Sequence, residues 1–244
     1  MFTACLIIFQ FCGLYPISIQ DKENESVTSI VASYGSTLIH ILLTLSHFLY
    51  MIIRQDKMLY SESVIGKIND ILVYFSLVLA HLTIIVETFI ERAYFKQFWY
   101  FYDKAVKLNR KSIKIKWYRG YLIKFILYIC FTLRIEIAVI STVIDNDEQW
   151  ANFWFSEIYS LLVTRIRHIQ HVFFIDIIFF SLQGINQYMK CLSFWMRGVG
   201  GDKKFARKHF YIKMSRMKEQ FKNLMEMIIC VNKIFRWSQV LNIG

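Results

Sequence analysis

Six histidines occur in 244 residues, and five of them (His40, His47, His81, His168 and His171) lie in or beside long apolar stretches. His40 and His47 are seven apart and share a helix face, and His168 and His171 share another. Pairs of this kind can hold haem between the helices of a membrane bundle. A di-iron or zinc site needs Glu-x-x-His or His-Glu-x-x-His, and neither occurs. A nucleophile elbow, a P-loop and a dinucleotide fingerprint are likewise missing. No catalytic residue, cofactor or metal is therefore expected, and the chain does not read as an enzyme. Polar side chains in such stretches ordinarily face a cavity or another helix.

Charges within apolar stretches carry more information, because a lone charge at bilayer depth costs several kcal/mol. Arg134, Glu136, Glu157, Arg165, Arg167, His168 and Asp176 are of this kind. Arg134 and Glu157 flank a short acidic turn and can pair. Trp154 and Glu157, three apart, share a helix face, and Tyr159 lies on an adjoining one. One reading is an aromatic-lined polar pocket formed by Asn69, Tyr74, Arg134, Trp154, Glu157 and Tyr159. A guanidinium donor, a carboxylate acceptor and apolar walls suit small neutral or zwitterionic ligands. The other reading is internal charge pairing that only fixes helix packing.

These residues must be positioned by membrane-crossing helices. The chain is 56% apolar, 17% aromatic and 19% charged, with one proline and nine glycines. Soluble proteins average about 25% charged residues. Residues 26–53 hold no charge over 28 positions, and residues 71–86 none over 16. A helix needs roughly 17–25 apolar residues to cross a bilayer. The pattern predicts an all-α polytopic membrane protein, a single domain over 1–244. Its four spans fall at about 30–53, 65–90, 121–144 and 152–177. The last stays helical to Met189, about 57 Å in all at 1.5 Å per residue, so its second half must leave the membrane. Residues 1–20 are uncharged but broken by Gly13 and Pro16, which predicts an amphipathic or re-entrant lead-in.

Lys and Arg number nine in 92–119 and ten in 190–222, but only three (Arg54, Lys57, Lys67) between the first two spans. The positive-inside rule puts both rich segments, 92–119 and 190–227, in the cytoplasm together with the N-terminus. This also accounts for the net charge of +11 without nucleic acid as a partner. The five scattered cysteines should be free thiols. Phe210, Met214, Met217, Phe221, Leu224 and Ile228 form a helical stripe among Lys208, Lys213, Arg216, Lys218 and Lys222. Such a basic helix suits packing that continues towards the membrane, or calmodulin or anionic lipid. Residues 228–244 read as the start of a fifth span.

Several stretches resemble the gustatory receptors of the insect chemoreceptor superfamily. They are Phe11-Cys12-Gly13-Leu14-Tyr15-Pro16; Phe98-Trp99-Tyr100-Phe101-Tyr102-Asp103 with Leu108; and Arg165 to Asp176 with Leu182, Ile185, Asn186 and Met189. Val231-Asn232-Lys233-Ile234-Phe235 with Ser238 and Leu241 completes the set. The resemblance implies a seven-helix receptor of the cell membrane, assembled as a homo- or hetero-tetrameric ligand-gated cation channel. It implies a small-molecule tastant bound in the outer halves of the helices. It also implies a pore lined by a seventh helix bearing Thr-Tyr-x-x-x-x-x-Gln-Phe. No Thr-Tyr dipeptide occurs here, and the sequence stops within the expected fifth helix, so a C-terminally truncated chain lacking the pore helix is expected. A four-helix haem redox protein and a small membrane scaffold are the competing readings.

The topology is testable at Asn24-Glu25-Ser26, a glycosylation acceptor that an N-inside chain keeps in the cytoplasm. Peptide:N-glycosidase should leave electrophoretic mobility unchanged. A shift abolished by Asn24→Gln would put the N-terminus outside.

Overall fold

A computed structural model describes residues 3–17, 27–53, 63–108, 116–141, 158–198 and 203–241. Among the described residues every regular element is a helix: α1 (Thr3–Phe11), α2 (Val27–Ile53), α3 (Val64–Ile90), α4 (Arg92–Leu108), α5 (Lys116–Ser141), α6 (Ile158–Gly198), α7 (Lys203–Ile234) and α8 (Arg236–Leu241). Among the described residues two stretches, Val64–Ile90 and Ile158–Phe194, are long and apolar enough to cross a membrane. α2 has 27 residues without a charge, whereas the 26 residues of α5 include Lys124 and Arg134.

Local chemistry explains the helix ends. Ser63 caps α3, its hydroxyl accepting from Gly66 N at 3.1 Å. A single turn at Glu91 separates α3 from α4, so the basic segment after the second apolar stretch begins as a continuing helix. α1 ends in a Schellman motif, with Leu14 N donating to Phe9 O and Gly13 N to Gln10 O. Gly13 supplies the left-handed residue at φ +72°. Leu14 and Phe9, the apolar pair such a motif favours, are both fully buried. The chain thereby turns back and puts Tyr15 and Ile17 in the core. Residues 3–17 thus turn back by burial within the protein.

α6 spans 41 residues, about 60 Å, and continues past Met189 to Gly198. Residues 152–157, expected to begin the fourth span, lie outside the described residues. α2 and α3 are antiparallel: Thr44 reaches His81, while Tyr74 donates to His47 O. α3 and α6 are parallel, because His81 meets Ser160 and Glu87 meets Arg167.

The main core is aromatic. Phe174 sits 4.7 Å from Phe98, 5.7 Å from Phe95 and 5.9 Å from Phe235, each measured between ring centroids. Phe173 adds contacts to Phe9 and Tyr121. One pair of phenylalanines on α6 thus ties α1, α4, α5 and the end of α7 together. Burial on α4, with Asp103 alongside, pushes the Tyr102 hydroxyl up to about 12.

α7 departs from the expected apolar stripe. Met217 and Leu224 are buried, but so are Gln220, Asn223 and Met227, whereas Met214 and Phe221 are exposed. α4 packs against this rotated face, and Gln220 Nε2 donates to Ala105 O at 3.5 Å. Met214 and Phe221 instead border a groove of about 580 Å³ between α7 and the second half of α6. The helix continues to Ile234, which fits the packing-helix reading of this segment.

The aromatic core gives a direct stability test. Phe98→Ala should cost about 3–5 kcal/mol in thermal or denaturant unfolding of detergent-solubilised protein, because it empties a fully buried site. Phe11→Ala, at a ring 84% exposed, should stay within about 0.5 kcal/mol. Equal effects would contradict the packing.

Candidate functional site

Two polar centres interrupt the apolar interior. The first is an imidazole–phenol cluster where α2, α3 and α6 meet. His40, Thr44 and His47 recur at four- and seven-residue steps and so face one way from α2. Tyr74 and His81, seven apart, do the same on α3, and Tyr159 and Ser160 come from the first turn of α6.

Tyr159 sits in the middle. Its hydroxyl is 2.5 Å from His40 Nδ1, and its ring lies 5.0 Å from His81 and 5.9 Å from His47, edge-on to both. His81 Nδ1 lies 2.9 Å from Ser160 Oγ and 3.4 Å from Thr44 Oγ1. Thr44 also donates back to His40 O at 2.8 Å. Thr44 and His81 are fully enclosed, while Tyr159 is half-buried. His47 Nδ1 and His81 Nε2 are buried without a hydrogen-bond partner. Such atoms mark a place where a further polar group would be bound favourably. Gly13 closes one side, held against the His40 imidazole.

The second centre lies one to two turns further along α3 and α6. Arg167 Nη2 donates to Glu87 Oε2 at 3.0 Å and to Ile234 O at 2.6 Å, and Nη1 donates to Gln170 Oε1 at 2.7 Å. The guanidinium also lies over the Phe235 ring, 4.2 Å from its centroid. Gln170 Nε2 in turn donates to Leu14 O at 2.6 Å. Glu87 accepts from the backbone amides of Trp237 and Ser238. Arg167 and Glu87 are both buried, so this centre is closed to any ligand.

The residues expected to form a pocket fall into three groups. Tyr74 and Tyr159 come together through His47: Tyr74 donates to its carbonyl, and the Tyr159 ring packs on its imidazole. Asn69 and Arg134 are exposed. Trp154 and Glu157 lie outside the described residues, and so does the proposed Arg134–Glu157 pair. The two histidine pairs have different surroundings. His40 and His47 join His81 around Tyr159, whereas His171 lies against Phe235. Glu87 was overlooked in the sequence, although an acid ending a 16-residue uncharged run, with Arg167 in another apolar stretch, was a usable signal. Among the described residues no group of three His, Cys, Asp or Glu side chains could hold a metal ion.

The closure by Gly13 can be tested. An added Cβ would sit 2.7 Å from His40 Cδ2 at a backbone angle that L-residues rarely adopt. Gly13→Ala should therefore destabilise the protein by about 1 kcal/mol or more. Gly35→Ala, in α2 with nothing within 4 Å, should stabilise it by about 0.5–1 kcal/mol. Thermal unfolding of both variants checks the contrast, and a neutral Gly13→Ala would separate the lead-in from the cluster.

No curated protein matches the chain in sequence. A family model described as the 7tm chemosensory receptor matches residues 3–244, which takes in α1 and the turn after it, both polar centres and the α7–α8 junction. With a match over nearly its whole length, in agreement with the gustatory-receptor likeness of its motifs, the chain belongs to the 7tm chemosensory receptor family.

Proposed function

We propose that this chain is a gustatory-receptor-like chemoreceptor of the cell membrane that detects small-molecule tastants and is not an enzyme. In this reading it crosses the bilayer four times from a cytoplasmic N-terminus. It joins related subunits in a homo- or hetero-tetrameric ligand-gated cation channel, whose pore helix is not within these 244 residues. The observation that carries the reading is the cluster around Tyr159. Three helices bring polar side chains and aromatic walls to one half-buried place, and two imidazole nitrogens remain without partners. With the N-terminus inside, α3 and α6 both start at the outer surface. Tyr74 and Tyr159 then lie in outer halves, where an extracellular tastant could arrive. Asn69, Arg134, Trp154 and Glu157 belong to the same proposed pocket. A cluster of neutral donors and acceptors with aromatic faces favours small neutral or zwitterionic ligands over strongly charged ones.

The test has two readouts. Purified protein is screened for thermal stabilisation by millimolar sugars, amino acids and small neutral bitter compounds. A compound at a hundred times its Kd should add about 2.7 kcal/mol. Cells expressing the chain with related receptor subunits are assayed for evoked current. Tyr159→Ala or Trp154→Ala should abolish both responses at normal surface expression. Glu157→Gln should weaken zwitterionic ligands more than neutral ones. Absence of both stabilisation and current across the panel would remove the chemoreceptor reading, and unaltered responses in all three variants would move the pocket elsewhere.

A further inference from the structure

The junction between α7 and α8 is broken in an unusual way. In an unbroken helix the amides of Trp237 and Ser238 would donate to the carbonyls of Lys233 and Ile234. Here both amides are taken by Glu87 from α3, and the Ile234 carbonyl is taken by Arg167 from α6. The last ordinary bond before the break is Phe235 N to Val231 O at 3.1 Å. Neither proline nor glycine stands between Val231 and Leu241 to account for the interruption. The two diverted amides and the Ile234 carbonyl have charged partners, and those two partners neutralise each other.

From this geometry we infer that the Glu87–Arg167 pair is a latch that holds a hinge open at Phe235. The local sequence is compatible with one continuous helix, and the pair is inserted into its hydrogen-bond ladder. Releasing the pair lets residues 231–241 close into a single helix and changes the direction in which the chain leaves α7. Phe235 reports the latched state: its ring is gripped between the Arg167 guanidinium and Phe174, at 4.2 Å and 5.9 Å. The latch does not depend on the identity of any ligand. It does use α3 and α6, the helices that hold His81 and Ser160 six and seven residues earlier.

Hydrogen–deuterium exchange of peptides covering 233–241, with the chain in lipid nanodiscs, tests this. Glu87→Gln keeps the shape but removes the charge that strengthens the bonds to two amides. Arg167 still holds the Ile234 carbonyl, so the hinge stays open and exchange there should speed about tenfold, with 210–225 unchanged. The double variant Glu87→Leu/Arg167→Met removes the inserted groups entirely, and replacing a buried pair by apolar residues of similar size is well tolerated. Its amides should return to Lys233 and Ile234, keeping exchange within about twofold of the unaltered protein. Normal exchange in Glu87→Gln would overturn the latch. So would tenfold faster exchange in the double variant, because the break would then belong to α7 itself. If Glu87→Gln yields no folded protein, the double variant alone decides on the same criterion.

Discussion

Arg167 is among the largest fully buried side chains of this protein, and the packing around it depends on its charge being answered. Moving such ions out of water costs several kcal/mol each, and their attraction repays this only when the remaining hydrogen-bonding capacity is also used. Here four elements contribute, although Arg167 Nε stays buried without a hydrogen bond. α3 supplies the carboxylate, and α6 supplies the guanidinium and Gln170. The turn after α1 supplies Leu14 O, reached through Gln170, and the α7–α8 junction supplies a carbonyl and two amides. An apolar residue at either charged position would leave the other charge alone in a low-dielectric interior. The pair is therefore a statement about which helices must be neighbours, more than a source of stability.

The same reasoning explains the lead-in. A twelve-residue apolar stretch is too short to span a bilayer and too hydrophobic to remain in water. The Schellman turn at Gly13 resolves this by folding the segment back, so that Phe9 meets Phe173 while Leu14 offers its carbonyl to Gln170. Gly13 then lies against His40, which in turn meets Tyr159. Residues 3–17 thus touch both polar centres, one through a backbone carbonyl and one through a steric contact.

α3 and α6 run in parallel and share two buried polar contacts about seven residues apart, one neutral and beside the half-buried Tyr159, the other charged. Their separation is set at both places at once. A group that wedges the helices apart near Tyr159 acts on the same pair of rods that holds the ion pair about 10 Å further along, at 1.5 Å per residue. The same two helices thus carry both the cluster and the contacts to the α7–α8 junction.

Much of this was legible in the sequence because it is governed by local periodicity and by length. The uncharged runs, the 3.6-residue spacing and the breakers Gly13 and Pro16 predict the four long apolar helices, including the overlong fourth, and the break after the N-terminal segment. The order of the motifs also carried the family resemblance, which the match over residues 3–244 bears out. Other features were decided by tertiary structure. The stripe on α7 predicts Met214 and Phe221 on the packed face, yet Gln220, Asn223 and Met227 are the buried ones, with Gln220 against α4, because a broad apolar surface can be docked at more than one rotation. The histidines were legible as polar groups facing the interior, but spacing along one helix says nothing about which other helix brings Tyr159 between them. Glu87 and Arg167 lie 80 residues apart, and each alone looks like an isolated charge in an apolar stretch. Periodicity fixes which face of a helix a residue occupies. Only the packing of several helices decides what stands opposite that face, because a buried charge selects its partner across space and not along the chain.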